Sequence, residues 1–162
     1  EAKDYITALE NKITSEEIYS QSGNVAVDSV INYKLSKAAN KNINVTSKIV
    51  IPEKINIDTK DMITIIGNLL DNAIEAAEKV GNKKYVSIRM EFKPGILVIE
   101  VSNSYDGQIK TENGEFITDK TDKKSHGLGI ENINDALKKY ENSLDFSYTE
   151  QDFHAKVIIY EK

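Results

Sequence analysis

Between Thr59 and Lys79 the apolar residues Met62, Ile66, Leu69, Ala73 and Ala77 recur at three- and four-residue steps, the pattern of one buried helix face. Ile63, Leu70 and Ile74 widen that face, and Asn68, Asn72 and Glu75 run along its opposite edge. The same spacing over Val27, Val30, Ile31, Leu35 and Ala38 predicts an earlier helix, with Asn24 as its N-cap. Tyr5, Ile6, Leu9 and Ile13 predict a helix at the start of the chain. Alternation predicts strands instead at Val45–Ile51, stopped by Pro52, and at Val86, Ile88, Met90 and Phe92. A Pro94-Gly95 turn joins the latter to Leu97, Ile99 and Val101, which makes a hairpin. Gly81-Asn82 closes the preceding helix.

The polar stretch from Ser104 to Ser125 is long for a connection, and its few apolar residues, Ile109, Phe116 and Ile117 among them, predict no structure of its own without a ligand. Ile130, Ile133, Leu137 and Tyr140 then have helical spacing, and two alternating runs, Leu144–Tyr148 and Phe153–Tyr160, end the chain. The order α-α-β-α-β-β-α-β-β predicts an α+β fold, one mainly antiparallel sheet with helices packed on a single face.

A chain of 162 residues, 29% charged and 40% hydrophobic, suits one domain with an adequate core. Its longest apolar stretches fall short of the roughly 20 residues of a membrane span. With 26 acidic against 21 basic side chains the net charge is −5, which argues against nucleic acid as a partner. The absence of cysteine excludes disulfides, thiolate nucleophiles and cysteine-based zinc sites.

Three features carry candidate chemistry. Asn68 and Asn72, four residues apart, project side by side from their helix, and amide carbonyls are hard oxygen donors suited to sharing Mg²⁺ with phosphate and water. Such asparagines also serve ordinarily as a solvated edge. Gly127-Leu128-Gly129 is expected to open the helix that starts at Ile130, where first-turn N–H groups would hold an anion. An unremarkable glycine-rich helix entry has the same sequence. Asn103, in Asn103-Ser104-Tyr105-Asp106-Gly107 at a strand end, has the donor and acceptor to read the edge of a base, or to make an Asx turn.

In order, Asn68-Leu69-Leu70-Asp71-Asn72-Ala73-Ile74-Glu75, Asn103 to Gly107, and His126-Gly127-Leu128-Gly129-Ile130 resemble the N, G1 and G2 boxes of the gyrase, Hsp90, histidine kinase and MutL (GHKL) ATPase superfamily. The likeness is to the catalytic domain of sensor histidine kinases, in particular the peptide-pheromone-sensing, quorum-sensing group of the AgrC and VirS type, and it runs from about Asn24 to the end.

The resemblance implies a Bergerat fold, a two-layer α/β sandwich, with ATP and Mg²⁺ as cofactors. Asn72 and Asn68 match the metal and phosphate positions, Asn103 the aspartate that reads the adenine amine, and Gly107 the second glycine of its box. His126, Gly127, Leu128 and Gly129 match the box where lid meets phosphate, and Lys123 and Lys124 are lid cations for the triphosphate. Residues 1–20 would be the end of the second dimerisation helix and a linker, residues 21–162 the ATP-binding domain, and about 104–126 its lid. Tyr105 replaces the first glycine of its box, and Glu75 stands where many sensor kinases carry a basic residue.

Hydrolytic relatives carry a glutamate at the Asn68 position, and an amide is no general base near neutral pH, so phosphoryl transfer to a protein side chain is the implied reaction. The acceptor would be a histidine on dimerisation helices absent from this sequence, because His126 and His154 lie outside such a helix. A response regulator would be the downstream partner. The place implied is a cytoplasmic domain of a cell-membrane protein, touching the membrane only through an N-terminal sensor region. A serine kinase of the anti-sigma-factor type shares the three boxes, and Asn103 with Tyr105 motivates a third reading, a nucleotide-binding regulatory module without transfer activity.

Overall fold

The Asn24 side chain accepts a hydrogen bond from the Val27 N–H and so caps α1 (Val25–Asn40), whose Val27, Ile31, Leu35 and Ala38 are buried. The computed structural model describes residues 2–4, 6, 17–112, 115–117 and 123–161, with side chains outside 110–128. Tyr5, Leu9 and Ile13 of the first expected helix lie outside the described residues. A left-handed Asn42 (φ 61°) ends α1 and turns the chain into β1 (Asn44–Val50). After Pro52, Asp58 caps α2 (Thr59–Glu78) by accepting from the N–H groups of Lys60 and Asp61.

Next come β2 (Tyr85–Lys93) and β3 (Ile96–Ser104), joined at Pro94-Gly95 with Gly95 at φ +79°. Two short strands, β4 (Lys110–Glu112) and β5 (Glu115–Ile117), pair antiparallel with each other. They are followed by α3 (Lys123–Leu137), β6 (Glu141–Tyr148) and β7 (Asp152–Tyr160).

The main sheet has the order β1-β2-β3-β7-β6. β1 runs parallel to β2, the crossover being α2, and every other pair is antiparallel. One face of the sheet presents Val86, Ile88 and Met90, Leu97, Ile99 and Val101, and Ala155, Val157 and Ile159 to the helices, and these join the buried residues of α1 to α3 in one core. This is the α+β two-layer sandwich anticipated, with the helices on a single face. Ahead of α1, the N–H groups of Tyr19 and Ser20 donate to Asn32, and the Asp28 carboxylate takes bonds from Ser20, Ser22 and Gly23. Among the described residues no helix is long and apolar enough to cross a membrane.

Four local expectations change. Ile63 is exposed and Ile65 is buried in its place, because Ile65 shares the edge of α2 that carries Asp61 and Asn72 and faces the α3 segment. The third helix ends at Leu137, leaving Tyr140 beyond it. It also begins at Lys123, so Gly127 and Gly129 lie inside it instead of ahead of it. The stretch after Ser104, expected to hold no structure, contains β4 and β5, and its first residue is the last of β3.

Candidate functional site

Asn68 and Asn72 occupy successive turns of α2 on the edge that faces α3. The Asn68 Nδ2 donates to the Thr64 carbonyl at 2.7 Å. A carbonyl only accepts, so this bond fixes the amide's orientation and leaves Oδ1 as its outward atom. Asp71, between the two asparagines, is turned away to pair with Lys34 of α1 at 2.7 Å.

Gly129 of α3 is buried against this edge. A Cβ there would stand 3.2 Å from Asn72 Oδ1, 3.5 Å from its Nδ2 and 3.6 Å from Asn68 Oδ1. Two motifs separated by nearly sixty residues of sequence therefore meet, and the missing side chain at 129 is what lets them.

Beside this contact a cavity of about 150 Å³ opens between α2 and the sheet. Leu69, Ala73 and Ala76 line it from α2, Val101 and Ala155 from the sheet, and Ile130 from α3; Asn72 forms part of its wall. Asn103 reaches the same cavity from the end of β3 and is only 3% exposed. Its Nδ2 donates to the Ser104 carbonyl at 3.0 Å, which again fixes the flip and leaves Oδ1 as an acceptor with no bond from any described residue. The wall thus has a flat apolar span for a ring, an acceptor at one end and the two α2 amides at another.

Gly107 is placed by a close backbone approach. At φ +78° a Cβ there would meet the Glu150 carbonyl oxygen at 2.9 Å, so glycine lets the loop after β3 pass the β6–β7 turn. Gly127 lies within the first turns of α3, and the N–H groups that have no partner within the helix belong to Lys123, Lys124, Ser125 and His126 instead of the glycines. The expectation that the glycines open the helix is corrected accordingly, because the helix starts four residues before Gly127. The side chains of Lys123, Lys124, His126 and Leu128 lie outside the described residues.

Sequence reasoning missed several lining residues. Tyr105, where the family pattern has glycine, is 7% exposed; its hydroxyl donates to the Thr149 carbonyl and its ring meets Phe153 edge-on with centroids 5.9 Å apart. Phe146 and Phe153, with centroids 5.8 Å apart, complete an aromatic end to the cavity. Lys79, Asp106 and Gln108 stand at its wall as polar groups. Lys79 was legible, since it falls two turns beyond Asn72 on the same helix edge.

His154 is placed away from all of this. Strand alternation puts Asn103 and its register partner Phe153 toward the cavity, so Ser102 and its partner His154 lie on the opposite face of the sheet. There Ser102 Oγ and His154 Nδ1 are hydrogen-bonded at 2.6 Å.

The donor set suits a hard divalent cation that arrives with phosphate. Asn68 Oδ1 is held as an acceptor and Asn72 is its neighbour, but two neutral amide oxygens fill only part of an octahedral shell. Mg²⁺ characteristically completes such a shell with phosphate oxygens and water.

Fold and site together define a two-layer α+β domain with a cavity between helix and sheet, rimmed by amides and helix glycine. Residues 57–160 match the family model described as the GHKL domain, and the chain belongs to that family. No curated protein sequence matches it. Among solved structures, the catalytic domain of the histidine kinase ThkA is similar over 87% of this chain and 93% of its own, at 20% identity and a TM-score of 0.66. The Acinetobacter baumannii histidine kinase AdeS matches over 85% of this chain and 64% of its own, at 13% identity and a TM-score of 0.60. Full-length ShkA in complex with AMPPNP matches over 86% of this chain and 30% of its own, at 12% identity and a TM-score of 0.59. At these identities the likeness is one of fold, the Bergerat fold of GHKL domains.

Proposed function

We propose that this chain is the Mg-ATP-binding catalytic domain of a two-component sensor histidine kinase, of the peptide-sensing AgrC and VirS type. The observation that carries the reading is the meeting of Asn72 and Gly129 at the wall of a cavity whose far side presents the Asn103 acceptor. The apolar span between Ala73 and Val101 takes the adenine ring, and Asn103 Oδ1 accepts from its exocyclic amine. Guanine presents a carbonyl at that position and would leave two acceptors facing each other. The triphosphate extends toward Asn72 and Gly129.

Asn68 and Asn72 would hold Mg²⁺, which when bound offsets charge on the phosphate oxygens. The residues of this chain supply positioning: they fix the nucleotide so that its γ-phosphorus faces an incoming imidazole nitrogen. The N–P bond forms, the bond to the bridging oxygen breaks, and ADP leaves with that electron pair. With an amide at position 68, no residue there activates water, so transfer is favoured over hydrolysis. Lys123 and Lys124 belong to a lid of about 104–126 and bring positive charge to the triphosphate. The acceptor histidine is carried by the kinase's own dimerisation helices, of which residues 1–20 are the end and linker, and a response regulator receives the phosphoryl group. His154, on the open face of the sheet, is not the acceptor. Full-length, the kinase is anchored in the cell membrane through a sensor region, with this domain in the cytoplasm.

Titration calorimetry with Mg-ATP tests the reading. Binding is expected, and none up to millimolar nucleotide, a free energy of only about −4 kcal/mol, would overturn it. Incubation with γ-labelled ATP should label a supplied dimerisation hairpin and leave this chain unlabelled. Acid-labile label on the chain alone, lost in His154→Ala, would show that the domain carries its own acceptor.

A further inference from the structure

The seam between α2 and the α3 segment carries a polar contact at each end, and one end is the site. At the other, beyond the C-terminal end of α3, the Tyr140 hydroxyl donates to Asp61 Oδ2 at 2.7 Å and accepts from the Asp58 N–H at 3.0 Å. Lys139 Nζ reaches the same Asp61 carboxylate at 3.2 Å. Asp61 is only 6% exposed although charged, and Asp58 is the cap of α2.

The two contacts are in register. Going along α2 from Asp61 to Asn72 corresponds to going back from Tyr140, through the turn at 138–140, along α3 to Gly129, so the two segments run antiparallel and eleven residues separate the contacts on each. At 1.5 Å per helical residue that is about 16 Å on α2 and about 12 Å from Gly129 to Leu137, and the turn that follows, whose Lys138 and Tyr140 N–H groups donate to the Asn134 and Leu137 carbonyls, carries the chain the rest of the way. Between them Ile65, Ile66, Ile133 and Leu137 fill the seam with apolar side chains. Apolar packing alone tolerates small sliding and rotation, whereas a hydroxyl bonded at once to a cap N–H and a buried carboxylate has one position.

We infer that Tyr140 is a positioning residue for nucleotide: its anchorage to Asp58 and Asp61 sets the register that presses Gly129 against Asn72 and orients the amides for the triphosphate. The inference rests on the nucleotide reading of the Asn72 edge, but the register claim itself does not. Asp61 and Tyr140 touch no part of the cavity, and their effect is transmitted along α3. Burial and the Asp61 carboxylate also hold the Tyr140 phenol above its ordinary pKa, so the hydroxyl keeps the proton it donates.

The test compares Tyr140→Phe with Tyr85→Phe. Tyr85 bonds Asp152 at 2.6 Å, away from the α2–α3 seam, and controls for general loss of a tyrosine–carboxylate bond. Without nucleotide, the NMR signals of the Gly129 amide and the Asn72 side-chain amide should shift in Tyr140→Phe and not in Tyr85→Phe. With nucleotide, Tyr140→Phe should bind Mg-ATP about tenfold more weakly while its affinity for adenosine stays that of the parent. Unmoved Gly129 and Asn72 signals overturn the inference, as does an equal loss for ATP and adenosine or an equal loss in Tyr85→Phe. If the parent binds no Mg-ATP, the nucleotide reading fails, and the nucleotide-free signals still decide the register claim. Should Tyr140→Phe fail to fold, Asp61→Asn takes its place, since it replaces the charged acceptor of the Tyr140 hydroxyl by a neutral amide; the same two signals should move in it, and their constancy overturns the inference.

Discussion

The two ends of α2 are built to opposite specifications. At its start both carboxylates are spent: Asp58 caps the helix, and Asp61, though buried, accepts from Tyr140 and Lys139. Toward its end the two asparagine amides face α3. Asn68 spends its Nδ2 on Thr64, and Asn72 lies against Gly129, where no side chain intervenes. Satisfied groups at the first end stabilise the fold, because leaving a buried partner unpaired costs more than the bond itself is worth. The Asn68 and Asn72 carbonyl oxygens take no hydrogen bond from any described residue and are available to a ligand. One helix therefore separates stability and recognition by about two turns.

This contrast can be broken most forcefully at the satisfied end. Asp61→Ala would strip Tyr140 and Lys139 of their acceptor, and the free energy of unfolding should fall by about 3 kcal/mol. Urea unfolding measures it, and a loss no larger than that of an exposed alanine substitution would deny Asp61 its structural part. Asn72→Ala is the converse. Affinity for Mg-ATP should fall by about 2 kcal/mol, in the range for a charge-assisted contact, with unfolding unchanged. An unaltered affinity would remove Asn72 from the site; an unfolding loss matching that of Asp61→Ala would remove the contrast.

The open end of α2 was the more legible of the two. Asn68 and Asn72 break an otherwise apolar helix at a spacing that places them together, and periodicity alone fixed the helix within a residue. The same local signals gave Asn24, the Pro94-Gly95 turn and the in-phase strands. Asp61 gave none, because its partner Tyr140 lies 79 residues away and a charged residue next to a helix cap reads as solvated. Tyr105 was likewise opaque: its packing on Phe153 and its bond to Thr149 depend on a cross-strand register that no local pattern reveals. The start of α3 was misplaced for a different reason. Glycines were read as helix punctuation, yet Gly129 is needed for close approach inside the helix, and a helix accepts an interior glycine at about 1 kcal/mol.

That cost makes Gly129→Ala a sharper probe of the contrast than either deletion. Helix propensity alone would make the variant up to about 1 kcal/mol more stable. The new methyl, 3.2 Å from Asn72 Oδ1, is tight, and the end of the Asn72 side chain is what yields. Stability should therefore hold or rise while Mg-ATP binding weakens by about 1 kcal/mol, with adenosine unaffected. A fall in stability together with unchanged ATP affinity would mean that the backbone of α3 moves instead and that Asn72 keeps its place.

The smallest effect is one of pH, and it distinguishes the ends by whether they titrate. Burial, and then the hydrogen bond to Asp61, raise the Tyr140 phenol above its ordinary value, so the folded state holds that proton more tightly than the unfolded chain. Its contribution to stability is complete below about pH 10, the unfolded tyrosine value, and is lost as pH rises through the folded pKa. Tyr85, pushed up to about 12 by burial and by Asp152, loses its contribution over the interval from 10 to that value. Urea unfolding at stepped alkaline pH should thus show the parent's advantage over Tyr140→Phe constant below about pH 10 and narrowing above it. The same narrowing is expected against Tyr85→Phe. The Asn72→Ala curve should run parallel to the parent throughout, since neither amide titrates. A gap between parent and Tyr140→Phe that stays constant to the alkaline limit would show that the phenol is not held against Asp61 in solution, and the tied end of α2 would then be tied by Lys139 and the cap alone.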